Sequence, residues 1–365
     1  MGSLVNMKIG MAGLGLIGGS IAKGIKRVHP DWEIICYNRT VRSLQAAKAD
    51  GVIDEMTDVI DARLADVDIL FFCMPVETSI EKIREIKPYL DSSTIITDVG
   101  STKDVIYKAV CDMGLADQYV GGHPMAGSEK SGYAYSKAHL FENAYYVLTP
   151  GDNVPAEKID IMRSIADDLH AISIVMKPEE HDEAVAAISH FPHLMACALV
   201  DQVRAEDKNG IRKTLAAGGF KDITRIASSS PDMWEQICLT NAAPIAGFIR
   251  RYISGLEKIL ADVEGGNGKG IYDLFERAGE YRNGITDQRE GMIAKLYFLY
   301  CDVVDRPGAI AEIAVLLATR SISIKNIGIL HNRGNAPGAL RIDFYDEEAR
   351  SKAHDVLKSY GFLAE

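Results

Sequence analysis

Gly13-Leu14-Gly15-Leu16-Ile17-Gly18 constrains this chain more than any other stretch of its 365 residues. The apolar run Met7 to Ala12 leads into it and predicts a buried strand, and Ile17 to Lys26 predicts the helix it opens. Glycines at this spacing allow a tight turn, let the backbone approach a pyrophosphate, and let helix and strand pack closely. The N–H groups at the helix start then face the phosphate charge. A second strand, Glu33 to Tyr37, follows at the distance a dinucleotide-binding unit needs. Gly13, Gly15, Leu16, Ile17 and Gly18 are therefore expected to hold a nicotinamide dinucleotide.

The end of the second strand bears on which one. NAD sites usually place Asp or Glu there for the ribose 2′-hydroxyl. This chain has Asn38-Arg39-Thr40. A carboxylate beside a 2′-phosphate would cost about 4 kcal/mol at 4 Å and an effective dielectric near 20. Asn38 removes that repulsion and Arg39 offers a phosphate partner, so NADP is permitted and mildly favoured, while NAD stays open.

Strands and helices alternate through the first half. Further strands are predicted at Asp68–Cys73, Thr94–Asp98, Gln118–Gly122, Ala144–Thr149 and Ser173–Met176. Helices are predicted at Val41–Ala49, Ser79–Tyr89, Lys103–Met113 and Asp160–Leu169. This alternation predicts a parallel, doubly wound, Rossmann-like α/β domain over residues 7–177. From 178 to 292 the pattern is helical, with Pro192 interrupting the stretch His181 to Arg204. This all-α segment is apolar enough to pack against a second subunit, as in a homodimer. From 294 to 365 the order is β-α-β-β-α-β: strands at Leu296–Val304, Ser323–His331 and Ala339–Tyr345, helices at Pro307–Thr319 and Glu347–Tyr360, and a short strand after Gly361. That order is ferredoxin-like.

Composition excludes several partners. The net charge of −11 repels phosphate backbones and anionic lipids, so neither nucleic acid nor membrane is expected as a partner. No uninterrupted apolar run approaches the roughly 20 residues of a membrane span. No secretory leader is apparent, and Met7 reads as a natural start. The six cysteines show no metal or redox spacing, which suits a reduced cytoplasm.

Open α/β sheets bind ligands beyond the carboxyl ends of their strands. Met74-Pro75, Asp98 to Lys103 and Gly121 to Lys130 all fall there. Met74, Pro75, Asp98 and Ser101 are expected on the cofactor, although Ser101 would equally cap the following helix. His123, between glycines and a proline, suits proton transfer near neutral pH. His190 and His193 share a helix face, but no third ligand completes a metal site, so no metal is expected. Arg225 lies three residues after Asp222, as a structural ion pair or as an oriented clamp for a substrate carboxylate.

Together GLGLIGGS, DVGSTK, GGHPMAGSEKSG, ISHFPH and AAGGFKDITRIA resemble the prephenate dehydrogenase family of tyrosine biosynthesis over essentially the whole chain. The tail, with DVVDRPGA and ISIKNI, looks like an ACT domain. The resemblance implies oxidative decarboxylation of prephenate with NAD or NADP. His123 would be the catalytic histidine, Ser101 a contact to the substrate hydroxyl or nicotinamide, and Arg225 the carboxylate clamp. Glu129, His181, His193, Asp222 and Trp234 would be further active-site or gating positions. Asp305, Pro307, Gly308, Ala309, Asn326 and Ile327 would form a regulatory site, with tyrosine as feedback inhibitor. Arogenate dehydrogenase fits the same motifs. Another NADP-dependent reductase on this architecture, or a non-catalytic nucleotide and amino-acid sensor, would not need His123.

Overall fold

The computed structural model describes residues 6–127, 130–285, 297–303, 306–330 and 338–362. It forms two compact units, Met1–Leu260 and Ala261–Glu365. The expected boundary near residue 292 lies outside the described residues.

Five parallel strands build the first sheet: β1 (Lys8–Ala12), β2 (Glu33–Tyr37), β3 (Glu55–Thr57), β4 (Ile69–Phe72) and β5 (Ile95–Asp98). Their order is β3-β2-β1-β4-β5. Helices α1 (Leu16–Val28), α2 (Val41–Ala49), α3 (Ala62–Ala65) and α4 (Val76–Ile86) connect them, and α5 (Asp104–Asp112) follows β5. The short β3 and α3 carry too little periodicity to be read from sequence. Both faces of the sheet are covered, so its strands are continuous apolar runs. In β4, Ile69 and Phe71 pack with Ile21 and Ile25 of α1, whereas Leu70 and Phe72 pack with Ile83 of α4 and Ile106 of α5. The chain reverses direction across the sheet between β1 and β4, where ligands of such sheets bind.

The next three strands depart from the expected all-parallel sheet. β6 (Val120–Pro124) joins β5 through the parallel bridge Ile96–Tyr119. β7 (Tyr145–Pro150) then pairs with β6 antiparallel, and β8 (Ile172–Val175) with β7 in parallel. A parallel return needs a crossover helix. Among the described residues between β6 and β7 only the 3-10 turn Tyr133–Tyr135 intervenes, whereas α6 (Ala156–Asp168) supplies the crossover to β8.

A continuous helical rod follows: α7 (Pro178–Val185), the π-helical turn Ala186–His190, and α8 (Phe191–Glu206). Pro192 does not break it. The wider π turn accommodates the proline ring and its missing N–H. By length and composition this rod could cross a bilayer, despite lacking an uninterrupted apolar run. Its His181 and Asp182 are instead buried beside the sheet. Helices α9 (Ile211–Leu215) and α10 (Gly218–Thr224), the 3-10 turn Arg225–Ser228, α11 (Pro231–Thr240) and α12 (Ala242–Glu264) continue the helical segment.

In the second unit, α13 (Gly268–Gly284) precedes β9 (Tyr297–Val303), α14 (Ala309–Ala318), β10 (Asn326–Leu330), β11 (Gly338–Phe344) and α15 (Glu347–Ser359). The antiparallel order β10-β11-β9 is that of a ferredoxin-like sheet. Leu299, Ile313, Leu340, Ile342 and Leu357 form its core. The expected last strand lies outside the described residues beyond Phe362.

The glycine turn yields a test of packing. A Cβ at Gly18 would stand 2.3 Å from the Gly13 carbonyl oxygen and 2.9 Å from Cys73 Cβ. Gly18→Ala should lower stability by about 1–3 kcal/mol from overpacking, more than the helix-propensity gain of up to about 1 kcal/mol. Urea denaturation measures the balance.

Candidate active site

The glycine turn joins β1 to α1 beside the end of β4. Gly13 adopts φ +105°, and its N–H donates to the Tyr37 carbonyl at 2.8 Å. A Cβ at Gly15 would meet nothing within 4 Å, while Gly13 and Gly18 press on Cys73. Gly15 caps α1 without a side-chain bond, and the first turn carries no acidic residue. The helix start is thus open to an anion, as a dinucleotide pyrophosphate requires. Asn38 proves to be a brace for this turn. Its Oδ1 accepts from Leu14 N at 3.1 Å and its Nδ2 donates to the Thr40 carbonyl at 3.1 Å. Arg39 and Thr40 are exposed beyond it. Met74 is half-buried and Pro75 caps α4 at the end of β4.

At the end of β5 lies a buried polar network that the sequence does not display. Lys103 is fully buried, and its Nζ donates to Asp98 Oδ2 and, at 2.7 Å, to the Gly122 carbonyl. Tyr119 Oη donates to Asp98 Oδ1 at 2.7 Å, and Gly100 N donates to Asp98 Oδ2 at 2.7 Å. Asp98 therefore shapes the turn bearing Ser101 from within the protein. Burial pulls the Lys103 ammonium below its ordinary pKa, against the opposing pull of Asp98. Lys103 also anchors β6 immediately before His123.

His123 meets the helical segment. Its Nδ1 lies 2.8 Å from His181 Nε2, and His181 Nδ1 lies 2.8 Å from Asp182 Oδ1. Asp182 caps α5 from outside: Oδ1 accepts from Lys103 N at 2.8 Å and Oδ2 from Asp104 N at 2.9 Å. Asn241 Nδ2 donates to the Asp182 carbonyl at 2.8 Å and contacts His190 Nδ1 at 3.0 Å. Thr102 Oγ1 and Thr240 Oγ1 are 3.0 Å apart. Burial first, and then the neighbouring His181 and Lys103, hold His123 well below the usual histidine range. Burial pushes His190 down to about 4. A neutral, desolvated imidazole of this kind is a proton acceptor.

His193 stacks on Trp234 with ring centroids 3.9 Å apart, and its Nδ1 contacts the Ser189 carbonyl at 2.9 Å. His190 meets the same indole edge-on. His190 and His193 thus have other partners than a metal, and no group of three metal-ligating side chains occurs among the described residues. Trp234 Nε1 is buried with no hydrogen-bond partner among the described residues. Asp222 and Arg225 lie exposed on α10 and the 3-10 turn that pack on α8. Glu129 lies outside the described residues. Sequence alone does not single out Lys103, Asp182 or Asn241. Only the adjacency of Asp182 to His181 and of Lys103 to Ser101 signals them.

The nucleotide-binding-domain model of prephenate dehydrogenases matches residues 21–175, and the prephenate dehydrogenase dimerization-domain model matches residues 177–277. The chain is 40% identical to the prephenate dehydrogenase of Bacillus subtilis (strain 168), across 96% of this chain and 95% of the relative. The Aquifex aeolicus prephenate dehydrogenase, solved in complex with hydroxyphenyl propionate and NAD+, superposes with a TM-score of 0.73 at 30% identity. That match covers 78% of this chain and all of the other. Synechocystis arogenate dehydrogenase superposes with a TM-score of 0.70 at 28% identity, covering 77% of this chain and all of the other.

Two outcomes follow from the buried groups. Lys103→Met leaves the Asp98 carboxylate buried without its cation and should cost about 3–5 kcal/mol, read from the urea midpoint. His123 and His190 have lowered pKa values in the fold, whereas the unfolded chain takes up these protons near pH 6.5. Their contribution to stability is present above pH 6.5 and is lost as pH falls toward 4. Thermal unfolding across that window should show a shallower decline for His190→Gln than for the parent chain.

Proposed function

The chain belongs to the prephenate dehydrogenase family, and from that membership we propose that it converts prephenate to 4-hydroxyphenylpyruvate and CO2 with a nicotinamide dinucleotide. The observation that carries this reading is His123: a desolvated imidazole tied through Nδ1 to His181, beside the strand ends where the cofactor binds. The open helix start at Gly15 fits the pyrophosphate. When bound, the nicotinamide supplies the hydride acceptor.

His123 takes the proton of the ring hydroxyl as hydride leaves the same carbon and the ring carboxylate departs as CO2. It returns that proton to the phenol oxygen as the ring becomes aromatic, so no proton is consumed overall. Ser101, on the turn set by Asp98, contacts the hydroxyl or the nicotinamide. Arg225, with Asp222, grips a substrate carboxylate by its planar fork. We assign His193 and Trp234 to the substrate side, and Glu129 as well, which lies outside the described residues. A neutral base and an electrostatic clamp suffice, because aromatisation drives the step.

NAD, the cofactor of the Aquifex complex, is the expected partner, and NADP is admitted because Asn38 and Arg39 place no carboxylate at the ribose. Apolar side chains left exposed along α12, among them Leu256, Leu260 and Val263, support a homodimer. The ferredoxin-like unit supports an ACT domain. We assign it tyrosine binding at Asp305, which lies outside the described residues, and at Pro307, Gly308, Ala309, Asn326 and Ile327. Gly308 adopts φ +88° at the start of α14, which opens the backbone there. The thiols of Cys36, Cys73, Cys111, Cys197 and Cys238 are unpaired, which suits the cytoplasm.

Initial rates of reduced-cofactor formation with prephenate and with arogenate, each with NAD and NADP, test substrate and cofactor together. Prephenate with NAD should be fastest; a preference for arogenate would reassign the substrate. Arg225→Ala should raise KM for prephenate by about 30- to 5,000-fold, the roughly 2–5 kcal/mol of a truncated charge pair. Deleting residues after 293 should abolish inhibition by tyrosine, and retained sensitivity would remove the regulatory assignment.

A further inference from the structure

We propose that Asp182 and His181 act as positioning residues that fix the tautomer of His123, placing its proton on Nδ1 and leaving Nε2 bare as the proton acceptor. The inference rests on the proposed role of His123 as base, and it gives His181 a task other than contact with substrate.

The hydrogen-bond directions follow from donors that cannot reverse. Backbone amides only donate, and Asp182 receives one on each oxygen, from Lys103 N at 2.8 Å and Asp104 N at 2.9 Å. Both oxygens are acceptors, so the 2.8 Å contact to His181 Nδ1 is a donation from the ring. The Nε2 of a neutral His181 is then a lone pair. It lies 2.8 Å from His123 Nδ1, which must donate to it. His123 Nε2 is left without hydrogen.

The relay is rigidly seated. His181 and Asp182 are each 1% exposed, so water does not compete for these bonds. Asn241 Nδ2 holds the Asp182 carbonyl at 2.8 Å, and Asp182 closes the start of α5, a nine-residue helix. Among the described residues, the charged and titratable groups that act on His123 are His181, Lys103 and His190. Among them, His181 is the one in hydrogen-bond contact with the ring. The opposite tautomer would set two lone pairs against each other at 2.8 Å, an unpaired contact of the kind that buried sites avoid. In the reaction the substrate O–H bond breaks and a His123 Nε2–H bond forms. The charge gained by the ring is met through Nδ1–H and His181 by the Asp182 carboxylate. No electrons pass along the relay.

The test uses the full chain labelled with 15N-histidine, without substrate. Long-range 1H–15N spectra assign the His123 nitrogens by their loss in His123→Asn. The parent chain should show a protonated Nδ1 and a bare Nε2. His181→Leu removes the acceptor and should return His123 to the Nε2–H form that imidazole prefers in water. His181→Gln keeps an acceptor oxygen and should retain Nδ1–H. In kinetics, His181→Leu should lower kcat at least about 100-fold, the low end of a positioned base's contribution, with KM little changed. His181→Gln should recover part of that loss. An Nε2–H tautomer in the parent chain overturns the proposal, even if no variant folds. So does an unchanged tautomer or an unchanged kcat in folded His181→Leu. A correct tautomer with no turnover of prephenate leaves the relay standing and removes the substrate assignment instead.

Discussion

The buried pair of Asp98 and Lys103 is the contact on which the rest of the site depends. Two charges inside a protein cost several kcal/mol each in lost hydration, and their attraction seldom returns more than that. The pair is therefore weak evidence of stability and strong evidence of geometry. Its polar atoms are tied on several sides: Asp98 accepts from Lys103, Tyr119 and Gly100, and Lys103 also donates to the Gly122 carbonyl. The turn after β5 and the strand carrying His123 are thereby locked to one another. Displacing either charge would free both Ser101 and His123.

Lys103 also joins the sheet to the helices. Its side chain reaches back into the sheet, while its backbone N–H donates to Asp182 on the helical rod. His123 is thus held between two structural layers: β6 fixes its backbone and α7 fixes its ring. The π turn after α7 brings His190 to Asn241, and Asn241 returns to Asp182. The glycine turn and His123 both stand toward carboxyl ends of strands, the position that an open α/β sheet leaves uncovered.

Sequence displayed the parts governed by local rules. The glycine turn, the apolar strands and the amphipathic helices depend on period and backbone freedom, and these can be read residue by residue. The π turn and the antiparallel β7 could not, since each depends on what a neighbouring segment does. Asn38 illustrates the difference at a single position. By sequence it is a cofactor-side residue lacking a charge; in the fold its amide is spent on Leu14 and Thr40. Lys103 looks like a surface lysine in a polar loop, because burial of a charge is decided by the partners tertiary structure supplies. Asp182 reads as one carboxylate in the acidic stretch PEEHDE, yet it is the residue that meets α5.

The central claim is that hydride removal and decarboxylation occur together at His123. The most direct measurement is the molar yield of reduced cofactor, CO2 and 4-hydroxyphenylpyruvate from a limiting amount of prephenate. Equal yields of all three are expected. Reduced cofactor formed without CO2, or none formed at all, would contradict the account.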